Sequence, residues 1–434
     1  MHPLTVFQVV LIFLDLHATN GRSWRRIMNG TEVTESKRYV VYLAKAHISS
    51  KEYDAWICGG AIVTTEFIIT SAACVEDVAY MYAIAGYSKY VSDEDLHSNP
   101  CTREMKKKIV YTCVPKAYHL DYEKVEQWAF IDIAVVKVES PYNFKDSRYE
   151  TLCSYQPKAI QVNYEKRYQE PGIDGIVLGW GHASKWRMPN DTYNYNLENL
   201  HYAPILLADK EECKKQYMAY ENILPVIDEY MICSMVDGNL NERGQLIHKT
   251  LPAADGCTSK VQKVVGFEGQ SCEKDDEGIT IIDREVRRKN TGENNTIEKL
   301  NIKIDEQNMT SSNNSNNTIP YEDFRRHFGI CQNDHGGPVV TWIGSSEVMI
   351  GVASVFKVTK DMHCAGPFLY TSTQCNGAFL DCLLSDYDIK EKDNTQDTRK
   401  AFCDSSPEEK GFDIVESHIS WKDHPDGPSA NERG

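Results

Sequence analysis

Cys331-Gln332-Asn333-Asp334-His335-Gly336-Gly337-Pro338 is the stretch on which the reading of this chain turns. It opens a segment, Gly329 to Tyr370, with β-type runs at Val339-Val340 and Val348 to Val355. A similar rhythm fills Ile27 to about Val236. There, short apolar runs such as Tyr39-Val40-Val41-Tyr42-Leu43, Phe67-Ile68-Ile69 and Ile133-Ala134-Val135-Val136 alternate with polar, glycine-containing turns. That spacing predicts a barrel or a sandwich.

Between these two segments the composition changes. Residues 237–327 are rich in Asn, Glu, Lys and Asp, and Asn308 to Asn317 is nearly all Asn and Ser. We read this stretch as a flexible insertion, with Cys257 and Cys272 positioned to tie off a small hairpin inside it. Phe379 to Leu384 predicts a short terminal helix. Residues 385–434 read as a polar tail, disordered or draped on the surface.

The chain has 434 residues, enough for one or two domains. Its formal charge of −16 argues against nucleic acid or an anionic membrane surface as a partner. The basic runs Arg103 to Lys108 and Arg284 to Lys289 read as solvated faces rather than heparin-type sites. Leu4 to Leu14 is apolar except for Thr5 and Gln8, too short to span a bilayer but suited to a signal peptide over 1–20. Fourteen cysteines fit an oxidising compartment. So do the sequons at Asn29, Asn190, Asn294, Asn308, Asn313 and Asn316, which make a secreted glycoprotein the expectation. No ligand spacing indicates a metal, and no cofactor is expected. His182, His201 and His363 read as scattered surface histidines.

Five segments, in order, resemble the trypsin/chymotrypsin family of serine proteases. Arg26-Ile27-Met28-Asn29-Gly30 resembles its activation site. Cys58-Gly59-Gly60-Ala61-Ile62, followed by Ile69-Thr70-Ser71-Ala72-Ala73-Cys74, resembles the segment that ends in the catalytic histidine and its cysteine. Asp132-Ile133-Ala134-Val135-Val136-Lys137 resembles the aspartate strand. Gly179-Trp180-Gly181 matches a family tripeptide. The opening stretch resembles Cys-x-Gly-Asp-Ser-Gly-Gly-Pro. The resemblance implies an all-β fold of two antiparallel six-stranded barrels with a short C-terminal helix and a long inserted loop. It also implies a 21–26 pro-segment and a protease domain over 27–384. It further implies the disulfides Cys58–Cys74, Cys213–Cys233 and Cys331–Cys364. Proximity alone suggests Cys101–Cys113, Cys257–Cys272 and Cys375–Cys382, leaving Cys153 and Cys403 to link tail and body.

The family's chemistry needs a serine nucleophile, a histidine base and an aspartate that orients it. The matching positions here are His335, Ala73 and Asp132. The oxyanion glycine is matched by Asn333. The position of a trypsin's pocket aspartate is Gly329, and Phe356 and Phe368 replace two pocket-wall glycines, which predicts a filled pocket. Asp132, without its histidine, reads as a structural carboxylate, and His335 as a polar surface or cleft residue. Asp334 matches the residue that pairs with the amino group freed by cleavage between Arg26 and Ile27, so an activation switch is retained in outline. These residues imply a secreted, non-catalytic homologue that binds extracellular proteins, such as proteases or their substrates. Two alternatives stay open: an active endopeptidase with a non-standard site, and a structural secreted protein.

Overall fold

The computed structural model describes residues 30–46, 58–76, 78–121, 124–182, 185–187, 193–247, 270–275, 278–283, 329–389 and 413–433. After a short strand, β1 (Thr31–Glu32), six strands follow: β2 (Val40–Lys45), β3 (Cys58–Ile62), β4 (Phe67–Thr70), β5 (Met81–Ala85), β6 (Lys107–Pro115) and β7 (Ala134–Val138). They are neighbours in the order β6-β5-β2-β3-β4-β7, and antiparallel pairing of β6 with β7 closes a barrel. β8 (Gln161–Val162) then leads to β9 (Asp174–Gly179), β10 (His201–Leu207) and β11 (Met231–Asp237). A separate hairpin joins β12 (Gln270–Asp275) to β13 (Gly278–Asp283). β14 (Pro338–Ile343), β15 (Ser346–Val358) and β16 (Cys364–Ser372) return to the body. The order β10-β11-β16-β15-β14-β9, closed by β9 with β10, makes the second barrel. The fold is therefore all-β, with two six-stranded antiparallel barrels.

The period of two along each strand decides which core a side chain enters. In β2, Val41 and Leu43 point into the first barrel, with Ile62, Ile68 and Val136. Val40 and Tyr42 point the other way, into a cluster that also holds Ile176, Leu178 and Trp180 of the second half. In β9, Val177 faces the second barrel's interior with Ile205, Val339 and Ile350. Both faces of these strands are buried, which explains their unbroken apolar runs. Tyr42 meets Trp180 edge-on, with centroids 5.5 Å apart, and the indole Nε1 of Trp180 donates to the Ser88 carbonyl at 2.8 Å. The barrels are thus joined through a shared core, and the candidate site lies where they meet, at the Asp132–Ser354 hydrogen bond.

Four expectations are corrected. First, the tail is not merely draped or disordered. β17 (Ile414–His418) pairs antiparallel with β6, and Trp421 is fully buried. The Trp421 Nε1 donates to the Ile109 carbonyl at 2.8 Å, and its ring packs between Tyr80, Tyr82 and His424. β17 is largely exposed, so its composition is polar, and a single tryptophan anchors the segment. Second, the folded body continues to Ile247. Leu240 bridges Leu246, and the carboxylate of buried Glu242 accepts from the Thr34 backbone N–H at 3.0 Å. The Lys37 ammonium donates to the Glu242 carbonyl at 2.5 Å and also reaches Glu347, so residues 237–247 hold the start of the first barrel.

Third, Cys101 bonds Cys153, with Cα atoms 4.8 Å apart, and not Cys113. Cys101 lies on a helix over Pro100–Met105 that meets the end of the Arg148–Leu152 helix, whereas Cys113 is carried into β6. Closeness in sequence is a poor guide where a strand leads the chain away. Fourth, the terminal helix runs from Gly377 to Ile389, longer than expected, with Phe379, Leu380 and Leu383 buried. Cys58–Cys74, Cys213–Cys233 and Cys331–Cys364 form, making four disulfides among the described residues. Cys375 carries no disulfide, which removes the Cys375–Cys382 pairing. Cys257, Cys403, Arg26, Ile27 and all six sequon asparagines lie outside the described residues. No described helix is long and apolar enough to cross a membrane.

Candidate functional site

Each barrel contributes to one buried polar cluster. Asp132 stands just before β7, after Ile131, whose φ of +53° turns the chain. Ala73 lies in a five-residue helix, Ala72–Glu76, that follows β4. Ser354 comes from β15 of the second barrel. The Asp132 carboxylate accepts the Ala73 backbone N–H at 2.9 Å and the Ser71 hydroxyl at 2.5 Å on Oδ1. Its Oδ2 accepts the Ser354 hydroxyl at 2.6 Å. Burial raises the Asp132 pKa above the usual carboxylate range, and the Ser354, Ser71 and backbone hydrogen bonds pull it partly back. Sequence reasoning missed the parts played by Ser71 and Ser354. A serine just before the Ala72-Ala73 pair was the available signal, since a buried carboxylate needs donors.

The Cys331–Pro338 loop lies beside this cluster. Asn333 adopts φ +75° and Gly336 φ +78°, two left-handed residues three apart. Gly336 has no substitute: a Cβ there would lie 2.3 Å from the Thr70 hydroxyl and 2.4 Å from the Gly59 carbonyl. The Gly59 N–H donates to the His335 carbonyl at 2.8 Å, which binds the loop to the first barrel. The Asn333 amide donates to the Asn196 side-chain oxygen at 2.8 Å and sits 3.2 Å from the His182 Nε2. The asparagine thus takes the left-handed conformation that a glycine would take more cheaply.

His335 and His182 are both buried, correcting the surface reading, as is His201; His363 is exposed. Burial lowers the His335 pKa to about 4, so its imidazole is neutral at neutral pH. Asp334 is buried too, and its carboxylate accepts the Gly181 N–H at 2.8 Å and the Cys331 N–H at 2.9 Å. Burial still raises its pKa to about 7. Gly179 and Gly181 leave the room it occupies: a Cβ on either would come within 2.5 Å of a carboxylate oxygen.

Next to His335 lies the Phe356 ring, 5.8 Å away between centroids, and Trp186 flanks Phe356 on another side at 5.9 Å. Phe368 is buried and lies against Gly329, where an added Cβ would be 2.1 Å from the phenyl ring. Phe368 thus stands over Gly329, and Phe356 packs against the edge of the same barrel core, beside His335. Asp132, Ala73 and His335 offer a buried carboxylate, a methyl group and a neutral imidazole. No cluster of three or more metal-ligating side chains occurs among the described residues.

The family model for Trypsin matches residues 27–244. That is half of the chain, and its span contains Cys58–Cys74, Asp132 and the Gly179-Trp180-Gly181 turn. The chain belongs to the trypsin family. The match ends at residue 244, and the Gly59 N–H to His335 carbonyl bond ties the later Cys331–Pro338 loop to the matched half. Bovine (Bos taurus) coagulation factor XI is 25% identical over 41% of this chain and 24% of its own length. The thrombin-like enzyme flavoxobin of Protobothrops flavoviridis is 24% identical over 51% of this chain and 71% of its own. The venom serine protease Bi-VSP of Bombus ignitus is 23% identical, over 38% and 39%. The chain thus spans about a quarter of the factor XI length. Among solved structures, the scabies mite inactivated protease paralogue S-D1 aligns at a TM-score of 0.44 and 14% identity, covering 83% of this chain and 97% of that one.

Proposed function

We propose that this trypsin-family chain is a secreted serine protease homologue that does not cut peptide bonds and acts by binding. The observation that carries the reading is Ala73. It stands beside the orienting carboxylate of Asp132, yet offers only a methyl group and a backbone N–H. The Ser71 hydroxyl supplies the hydrogen bond that an imidazole would otherwise give that carboxylate. His335, read as the nucleophile position, is buried beside Phe356, and the Phe368 ring packs over Gly329, which supports the reading of a filled pocket. Four disulfides support an oxidising, extracellular setting. A two-barrel scaffold suits a binding or regulatory part in an extracellular proteolytic system, with proteases or their substrates as partners.

The test is incubation of purified protein with a serine-reactive fluorophosphonate and with casein. Neither labelling nor cleavage is the expected result, and either one from pure protein would overturn the proposal in favour of an active endopeptidase. Restoring the pair with Ala73→His and His335→Ser should return little activity, because Phe356 and Phe368 still occupy the pocket. Adding Phe356→Gly and Phe368→Gly should then return more.

The activation switch is part of the same proposal. Buried Asp334, bonded only to neutral N–H groups among the described residues, suits a nearby ammonium such as that of a freed Ile27. Sequencing the N-terminus of the secreted protein decides the matter: a start at Ile27 supports the switch, and a start upstream of it rejects it. Mass spectrometry of Asn29 tests whether a glycan accompanies or blocks the cut.

A further inference from the structure

A groove on the first barrel, far in sequence from the Cys331–Pro338 loop, carries charge of the opposite sign to the whole molecule. Its volume is about 680 Å³, within the roughly 300–1,000 Å³ range of ligand pockets. Six cationic side chains line it: Arg103, Lys106, Lys107, Lys108, Arg148 and Arg433. Four acids share it: Glu104, Glu139, Asp146 and Asp426. The chain as a whole has a formal charge of −16, so a local excess of cations stands out.

The acids are engaged. Glu104 pairs with Arg103 at 2.8 Å, and Asp146 pairs with Arg148 at 2.6 Å. Glu139 accepts the backbone N–H of Lys108 at 3.0 Å and of Ala430 at 2.6 Å. Asp426 accepts the Tyr82 hydroxyl. The lysines, by contrast, donate to neutral acceptors. Lys106 donates to the Leu96 carbonyl at 3.0 Å, and Lys107 to the Ser140 hydroxyl at 2.6 Å. Lys108 donates to the carbonyls of Asp426, Gly427 and Pro428. Arg433 donates to the Pro428 carbonyl at 3.3 Å. Each lysine also stands over a ring: Lys106 over Tyr82, Lys107 over Tyr142 and Lys108 over Trp421. Burial holds all three ammoniums below the usual lysine range, outweighing the pull of nearby Glu139 and Asp426. Six cations against four acids leave the groove with a net positive charge, which a bound anion would offset.

The C-terminal segment closes one side of the groove, through Asp426, Ala430 and Arg433. That segment lies outside the family match, which ends at residue 244, whereas the rest of the lining lies within it.

We propose that this groove binds a sulfated oligosaccharide. Fixed cations at several points favour a ligand with several charged groups on a short scaffold, and Ser140, Asn143 and the engaged acids offer polar partners for sugar hydroxyls. The overall negative charge disfavours a long polyanion such as a nucleic acid, which would run beyond the groove. The inference is independent of whether the chain cuts peptide bonds.

The experiment is calorimetric titration of the full chain with a fully sulfated heparin tetrasaccharide, its desulfated counterpart, inositol hexakisphosphate and phosphatidylserine vesicles. Sulfated tetrasaccharide should bind. Lys106→Gln with Lys107→Gln should weaken it at least about tenfold, since two charge-assisted hydrogen bonds are lost. Raising salt from about 50 to about 200 mM should cost about tenfold for two released counterions. If the lysine pair proves needed for folding, Arg433→Gln at the exposed end tests the same groove and should also weaken binding. Lys214→Gln with Lys215→Gln, on a distant helix, should change nothing. No binding, undiminished binding by the groove variants, or equal binding of the desulfated sugar overturns the proposal. Equal or tighter binding of inositol hexakisphosphate or of the vesicles overturns it as well, by assigning the groove to another anion.

Discussion

Replacing His335 with glutamine, in the chain left intact before Ile27, should change how stability depends on pH. Burial lowers the His335 pKa from 6.5 to about 4. Between those values the unfolded chain binds a proton that the folded chain refuses. The group's contribution is therefore lost as pH falls through that window, by about 3 kcal/mol at roughly 1.36 kcal/mol per pH unit. Its neighbour acts in the opposite sense. Burial raises the Asp334 pKa from 3.8 to about 7. Over that range the folded chain keeps a proton that the unfolded chain has released, so stability falls as pH rises, by about 4 kcal/mol in full. In the unmodified protein the two slopes largely oppose each other between about pH 4 and about pH 6.5.

His335→Gln removes one of the two, and stability should then fall as pH rises across this window. Asp334→Asn removes the other, and stability should then rise. Urea midpoints, with disulfides intact, measured from about pH 4.5 to about pH 6.5 give the slopes. Equal slopes in the unmodified protein and in His335→Gln would refute the reasoning, because they would mean that the ring titrates alike in both states.

Trp421→Ala should lower stability by about 3–5 kcal/mol, the usual cost of deleting a large buried aromatic; unfolding curves check this, and a loss under about 1 kcal/mol would mean that β17 docks without its anchor. Ending the chain after residue 412 should cost at least as much, since β17 and the Lys108 contacts go with it. Replacing Cys101 and Cys153 together by serine should cost about 4 kcal/mol, from the loop of 52 residues that the bond closes. An unchanged melting temperature would show that the unfolded chain is already restricted there.

Much of the architecture was legible because both faces of each barrel strand are buried, and runs such as Val40–Leu43 show it directly. The positions around the cleft were legible through fixed neighbours: Cys74 marks Ala73, and Gly336-Gly337-Pro338 marks His335. What sequence could not give was contact between distant segments. Nothing in the polar stretch after Asp413 announces that Trp421 fills the space between Tyr80 and Tyr82. Nothing near Cys101 announces that Cys153, rather than Cys113, will meet it. The burial of His182 and His335 was equally hidden, since a histidine looks the same in sequence whether loops cover it or not.

Ser71 poses the sharpest question about how this fold holds the buried Asp132 carboxylate. A buried carboxylate with too few donors is costly, and Asp132 has two hydroxyls and a backbone N–H directed at it. If the Ser71 hydroxyl stands in for an imidazole, Ser71→Ala should cost about 1–3 kcal/mol in the unmodified chain. The same change made in the Ala73→His background should cost much less, because the ring N–H can then donate to the carboxylate. The double-mutant cycle reads this difference as a coupling energy from urea unfolding. Additive losses would mean that Ser71 and a side chain at position 73 serve separate needs. A clear coupling would mean that the two side chains serve the same carboxylate, the Ser71 hydroxyl supplying the hydrogen bond that a ring at position 73 could give.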